Sequence, residues 1–154
     1  MTAVPKGDIA IADIESLTHE GHGVAHIDGK AVFIHGALPG ERVRFRYYNK
    51  RAKFDTGAVI EVLQATPARI AQPRCEYFGV CGGCGLQHLD SAAQLRAKEK
   101  ILLDNLAHIA KLTPASVLPP LAGPAWHYRR NARLRARMVP MKGGVLIGFR
   151  EKRS

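Results

Sequence analysis

The sequence predicts a mainly β chain with one long helix: a small five-stranded barrel, then a partial α+β segment. Three observations carry that prediction. Residues 8–64 alternate apolar and polar positions between turn residues and show no helical period. One long helical pattern begins at Ser91, and strand patterns return after Trp126.

Asp8 to Glu15 supplies the first strand pattern. Gly23 to Ile27 and Ala31 to His35 flank Asp28-Gly29, a hairpin signal because both residues tolerate positive φ. Leu38-Pro39-Gly40-Glu41 turns the chain into Arg42 to Tyr47. There Val43, Phe45 and Tyr47 point to a core while Arg42, Arg44 and Arg46 point outward. A basic loop, Lys50 to Lys53, leads to a fifth strand at Ala58 to Leu63. Five short strands without a helix suit a small barrel, and the oligonucleotide-binding barrel is the commonest soluble form of that plan. Residues 1–66 are therefore expected to form one domain and residues 67–154 a second, with Gln64 to Arg69 as linker.

In the second part, Ser91 to Leu112 reads as one helix, opened by a capping box at Ser91 and Gln94 and striped by Leu95, Leu102, Leu106 and Ile109. Thr113-Pro114 stops it, and Leu118 to Pro124 is a loop. Asn131 to Met138 alternates arginine with apolar residues, giving one guanidinium face and one apolar face. Lys142-Gly143-Gly144 turns it into a partner strand, Val145 to Phe149. The strand pattern runs close to Ser154, so the second domain is expected to be truncated.

Charge separates the two parts. Residues 1–66 hold 8 Lys/Arg and 8 Asp/Glu, whereas residues 67–154 hold 15 and 5, so the net charge of +10 lies wholly in the second part. A basic surface of this kind draws polyanions, nucleic acid foremost. Trp126 and Tyr128 add stacking surfaces beside Arg129, Arg130, Arg133, Arg135 and Arg137, a combination suited to phosphates and unpaired RNA bases. No apolar run approaches the roughly 18 residues that span a bilayer, and the N-terminus lacks the apolar core of a secretory signal. A cytoplasmic location is expected, with no membrane partner and no protein partner.

All three cysteines lie in one loop. Cys75, Cys81 and Cys84, with Gly82-Gly83 between the last two, form a compact soft-ligand motif. Clustering of this kind in a cytosolic chain points to metal or redox chemistry rather than to disulfides. Zinc and a cubic iron–sulfur cluster each need four ligands. His88 can complete a Cys3His zinc site, or a cysteine after Ser154 can complete a 4Fe–4S cluster. There is no dinucleotide-binding glycine motif, no phosphate loop and no nucleophile–base pair outside the metal loop. This stretch by itself is therefore expected to be catalytically inactive.

The order of these parts resembles a known family. Gly21 to Ala25, Val32-Phe33-Ile34 and Leu38 to Glu41 resemble a TRAM domain, an RNA-binding barrel of the oligonucleotide-binding type. Pro73 to Cys75, Val80 to Cys84 and Gln87-His88 resemble the cluster motif of bacterial RNA uracil-5-methyltransferases. Tyr128 to Leu134 and Gly148 to Lys152 resemble that family's central domain. The resemblance implies methyl transfer from S-adenosylmethionine to carbon 5 of a ribosomal RNA uracil, with Cys75, Cys81 and Cys84 as cluster ligands. It places the catalytic residues, the methyl-donor site and a fourth cluster cysteine beyond residue 154. The alternative from another class is a stand-alone, zinc-stabilised RNA-binding module without activity; a redox-sensing iron–sulfur protein is a third.

Overall fold

A computed structural model describes residues 7–152. The expectations that touch Met1 to Lys6, Arg153 and Ser154 lie outside the described residues. The chain is mainly β with one long helix. Its strands are β1 (Ile9–Asp13), β2 (Ser16–Leu17), β3 (Gly23–Ile27), β4 (Lys30–His35), β5 (Arg42–Lys50) and β6 (Phe54–Gln64), followed by helix α1 (Ser91–Asn105), then β7 (Arg135–Val139) and β8 (Gly144–Gly148).

The first six strands form one sheet in the order β1-β5-β6-β4-β3-β2, antiparallel except for the parallel pair β4–β6. β1 and β2 are one run of chain bent at Ile14 and Glu15. The Ile14 N–H donates to the Glu41 carbonyl (2.8 Å), and the Glu15 N–H donates to the Val24 carbonyl (2.9 Å). Because β1 lies at one sheet edge and β2 at the other, this single run joins both edges and closes the sheet into a barrel. Closure removes the free edges that a flat sheet would expose. Register shifts at Arg42/Val43, Arg44/Phe45 and Tyr47/Asn49 in the β5–β6 pair add the coiling a small barrel needs.

The alternation expected in Arg42 to Tyr47 holds. Val43, Phe45 and Tyr47 are buried, and they pack with Ala12, Ile14, Ala25, Val32, Ile34 and Ala37. The Asp28-Gly29 hairpin also holds, with φ of 52° and 76°. Some details differ. The Lys50 to Lys53 loop is shorter, because β5 runs through Lys50 and β6 starts at Phe54. Ser16–Leu17 forms a strand of two residues, too short to show periodicity.

A second apolar cluster joins the barrel to the helix. Leu17, Leu38 and Leu89 are its buried members, flanked by Ala68, Leu86, Ala93, Ala97 and Ile101. The face of α1 that packs is therefore the alanine–isoleucine side. Leu102 and Ile109, expected in the packed stripe, are exposed. The cap differs too. Asp90 is the N-cap, its carboxylate accepting from the Ala93 N–H at 2.8 Å. The Gln94 amide donates instead to the carbonyls of Leu86 and Leu89. The helix gives way at Leu106–Ala110 to a π-helical turn that ends on Lys111 in the left-handed region, so the α-helix stops short of Leu112.

Candidate nucleic-acid interface and cysteine loop

The cysteine loop is held by its two ends. Residues after β6 and before α1 run side by side: the Ile70 N–H donates to the His88 carbonyl (2.9 Å) and the Asp90 N–H to the Ala68 carbonyl (3.0 Å). Arg69 then fixes this short pairing to the barrel. Its guanidinium donates to both carboxylate oxygens of Glu41, at 2.5 and 2.7 Å, and to the Gly36 carbonyl at 2.8 Å.

Inside the loop, tight turns set the cysteines. The Phe78 N–H donates to the Cys75 carbonyl, and the Cys81 N–H to the Tyr77 carbonyl. The Cys75 N–H donates to the Gln87 side chain at 3.3 Å. The Gly83 N–H points at the Cys81 sulfur at 3.4 Å, the kind of backbone donation that stabilises a thiolate. The chain after β8 returns alongside: the Gly82 N–H donates to the Arg150 carbonyl and the Lys152 N–H to the Val80 carbonyl, both at 2.8 Å. Gly82 permits this approach, since a Cβ there would lie 2.7 Å from the Arg150 oxygen.

Three thiols of soft-ligand type on one glycine-rich loop match the donor chemistry of zinc or of an iron–sulfur cluster. Cys75 and Cys81 are partly buried and Cys84 is exposed. Among the described residues, no three His, Cys, Asp or Glu side chains converge as a metal site. His88, the alternative fourth ligand, is a buried side chain. It is 4% exposed and its ring packs against Phe78 at 5.1 Å between centroids. Burial, reinforced by the Arg69 guanidinium, lowers its pKa to about 4, so the ring is neutral at physiological pH. Neither ring nitrogen has a hydrogen-bond partner among the described residues.

The arginine stripe is only partly a strand. Arg135 and Arg137 lie in β7, while Arg129, Arg130 and Arg133 precede it in irregular chain, and all five are exposed. The β7–β8 register puts Ala136 opposite Ile147 and Met138 opposite Val145 on one face, and Arg135 and Arg137 on the other. The expected apolar face thus exists, but Met138 is 63% and Ile147 70% exposed. Arg133 and Arg135 line a groove of about 430 Å³ together with Gly82, Phe149 and Arg150, which sets them beside the cysteine loop. Arg74 lies over the Trp126 ring and Arg129 over the Tyr128 ring, at 5.0 and 5.8 Å.

The barrel's three arginines have distinct surroundings. Arg42 pairs with Asp13 at 3.7 Å and Arg44 pairs with Glu61. The Arg46 Nε is buried without a partner among the described residues, and Arg46 borders a cavity between barrel and cysteine loop. That cavity leaves no signature in the sequence, because its walls come from segments far apart in the chain.

The barrel is followed by a basic, aromatic-flanked segment, and residues 6–46 match the TRAM domain family. Over nearly its whole length the chain is similar to the 23S rRNA (uracil(1939)-C(5))-methyltransferases RlmD. It is 52% identical over 94% of its residues to the protein of Aromatoleum aromaticum (strain EbN1), of which it covers 33%. For the proteins of Chromobacterium violaceum and Nitrosococcus oceani the identities are 54% and 55%, over 94% and 93% of this chain and 28% and 32% of theirs. The chain thus spans about a third of the length of the curated relatives it matches. No helix among the described residues is long and apolar enough to cross a membrane.

Proposed function

We propose that this chain is the RNA-gripping, iron–sulfur-holding part of an S-adenosylmethionine-dependent 23S rRNA uracil-5-methyltransferase acting in the cytoplasm. The observation that carries this is identity above 50% to the RlmD proteins across 94% of the chain. Residues 1–66 are the RNA-binding barrel, and residues 67–154 belong to the domain that presents the cysteines and arginines. Cys75, Cys81 and Cys84 are three ligands of a 4Fe–4S cluster. The donor chemistry supports this: sulfur ligands only, glycine flanks and a backbone N–H donating to the Cys81 sulfur. Bound S-adenosylmethionine supplies the methyl group that ends on uracil carbon 5.

The residues of this chain bind and orient. Arg129, Arg130, Arg133, Arg135 and Arg137 face solvent, where guanidinium forks match phosphate oxygens. Trp126 and Tyr128 offer stacking faces to unpaired bases. The test is methyl transfer from labelled donor to unmodified 23S rRNA by the intact protein that carries this sequence. Label at uracil carbon 5 is expected, with none from residues 1–154 alone. Intact protein that binds the RNA without transferring label would overturn the assignment.

A further inference from the structure

Between barrel and cysteine loop lies a cavity of about 360 Å³, walled by His35, Arg46, Ile60, Phe78, His88 and Lys152 among others. Its size falls within the range of roughly 300–1,000 Å³ typical of small-ligand sites. Two of its residues carry buried polar atoms with no partner among the described residues: the Nε of Arg46 and both ring nitrogens of His88. Buried polar groups are almost always hydrogen-bonded, so unsatisfied ones bordering a cavity call for water or a ligand there. Resting on the RNA-binding reading above, we propose that this cavity receives a single unpaired nucleobase of the bound RNA.

The chemistry favours a base over a phosphate. A neutral imidazole offers one donor and one acceptor, whereas a phosphate accepts only and leaves the acceptor nitrogen unmet. The edge of a pyrimidine or purine alternates donors and acceptors and meets both, with the Arg46 Nε–H as a further donor. The Phe78 ring and the aliphatic wall of Ala58, Val59 and Ile60 supply the apolar surface a base buries. Lys152, whose ammonium lies 4.8 Å from the centre of the Phe78 ring, keeps the rim cationic.

The position of the cavity adds a geometric reason. It opens where the TRAM barrel meets the basic second part, so a strand held by both passes its mouth. The Glu41–Arg69 pair and the pairing of residues 68–70 with 88–90 hold the His88 wall against the barrel. The His88 wall is therefore tied to the barrel before RNA arrives, which lowers the ordering cost of binding.

The experiment uses a synthetic RNA loop with the sequence around the target uridine of the relatives, made as a series with one abasic nucleotide at each position in turn. Affinity of the intact protein should fall on the order of ten-fold or more at one position and little at its neighbours. Two variants should erase that difference between abasic and complete RNA: His88→Ala, which removes the ring, and Ile60→Trp, which fills the cavity. Ile60 is 46% exposed, so this second variant disturbs no core if the first fails to fold. A flat abasic profile with salt-dependent binding intact would remove the pocket and leave the RNA-binding reading standing. The absence of salt-dependent RNA binding would overturn both.

Discussion

Glu41 and Arg69 form a two-bonded ion pair whose carboxylate is 1% exposed, and the same carboxylate accepts from the Leu38 N–H at 2.9 Å and the Thr66 N–H at 3.4 Å. A buried carboxylate with four donors is fully satisfied, and removing one partner strands the other. Arg69→Ala should therefore destabilise the fold by about 3–5 kcal/mol, and Glu41→Gln by a comparable amount. Urea unfolding followed by circular dichroism measures this. A change below about 1 kcal/mol would mean that water replaces the lost partner. The same variants should loosen residues 70–88, detected as faster amide exchange in the cysteine loop.

Arg133, Arg135 and Arg137 should each hold one RNA phosphate. Replacing all three by alanine should reduce the salt slope of single-strand binding by about 2, from about 0.7 per contact. The loss should be nearly independent of RNA sequence, because phosphates carry no base information. Trp126→Ala or Tyr128→Ala should instead cost about 1–3 kcal/mol with the slope unchanged. An unaltered slope in the triple variant would assign the stripe to solvent.

Cys81→Ser should abolish the visible absorbance and the iron of anaerobically purified intact protein, since a hydroxyl is a poor substitute for a soft thiolate ligand. Colourless protein with one zinc per chain, released by His88→Ala, would replace the cluster with a Cys3His site.

Asp55 ties the barrel to pH. Its carboxylate is buried, accepts from the Lys30 ammonium at 2.7 Å and from the Arg51 N–H at 3.1 Å, and its pKa is lowered from 3.8 chiefly by the Lys30 hydrogen bond. A depressed carboxylate pKa contributes stability that is complete above the unfolded value and fades as pH falls through the folded one. Acidification below about pH 4 should thus weaken the wild-type barrel, and Asp55→Asn should flatten that limb. Chemical denaturation midpoints measured between neutral pH and pH 3 test the difference. An identical acid limb in the variant would assign it to other carboxylates.

Local periodicity made part of the fold legible in the chain. Val43, Phe45 and Tyr47 alternate with arginines, and Asp28-Gly29 supplies two positive φ angles, so strand and hairpin could be read. The clustering of Cys75, Cys81 and Cys84 is equally local. Closure by Ser16–Leu17 was not legible, because that pairing depends on β3 rather than on its own composition. The packed face of α1 differs from the expected one because leucines outweigh alanines in a periodicity count. Yet Ala93 and Ala97 are small enough to sit against Leu89 and Leu38. Arg42, Arg44 and Arg46 look alike in sequence, and only cross-strand neighbours give two of them carboxylates and the third a cavity.

The segment that returns along the cysteine loop has a consequence for the order of assembly. Val80 and Gly82 are bonded to Lys152 and Arg150, residues made much later by the ribosome. The thiols therefore leave the exit tunnel well before the segment that braces their loop. In that interval Cys75, Cys81 and Cys84 sit on a loop that has its own turns and its tie to the barrel but lacks the bonds to Arg150 and Lys152. Arrival of residues 150–152 then adds the two backbone bonds at Val80 and Gly82, a latch made last.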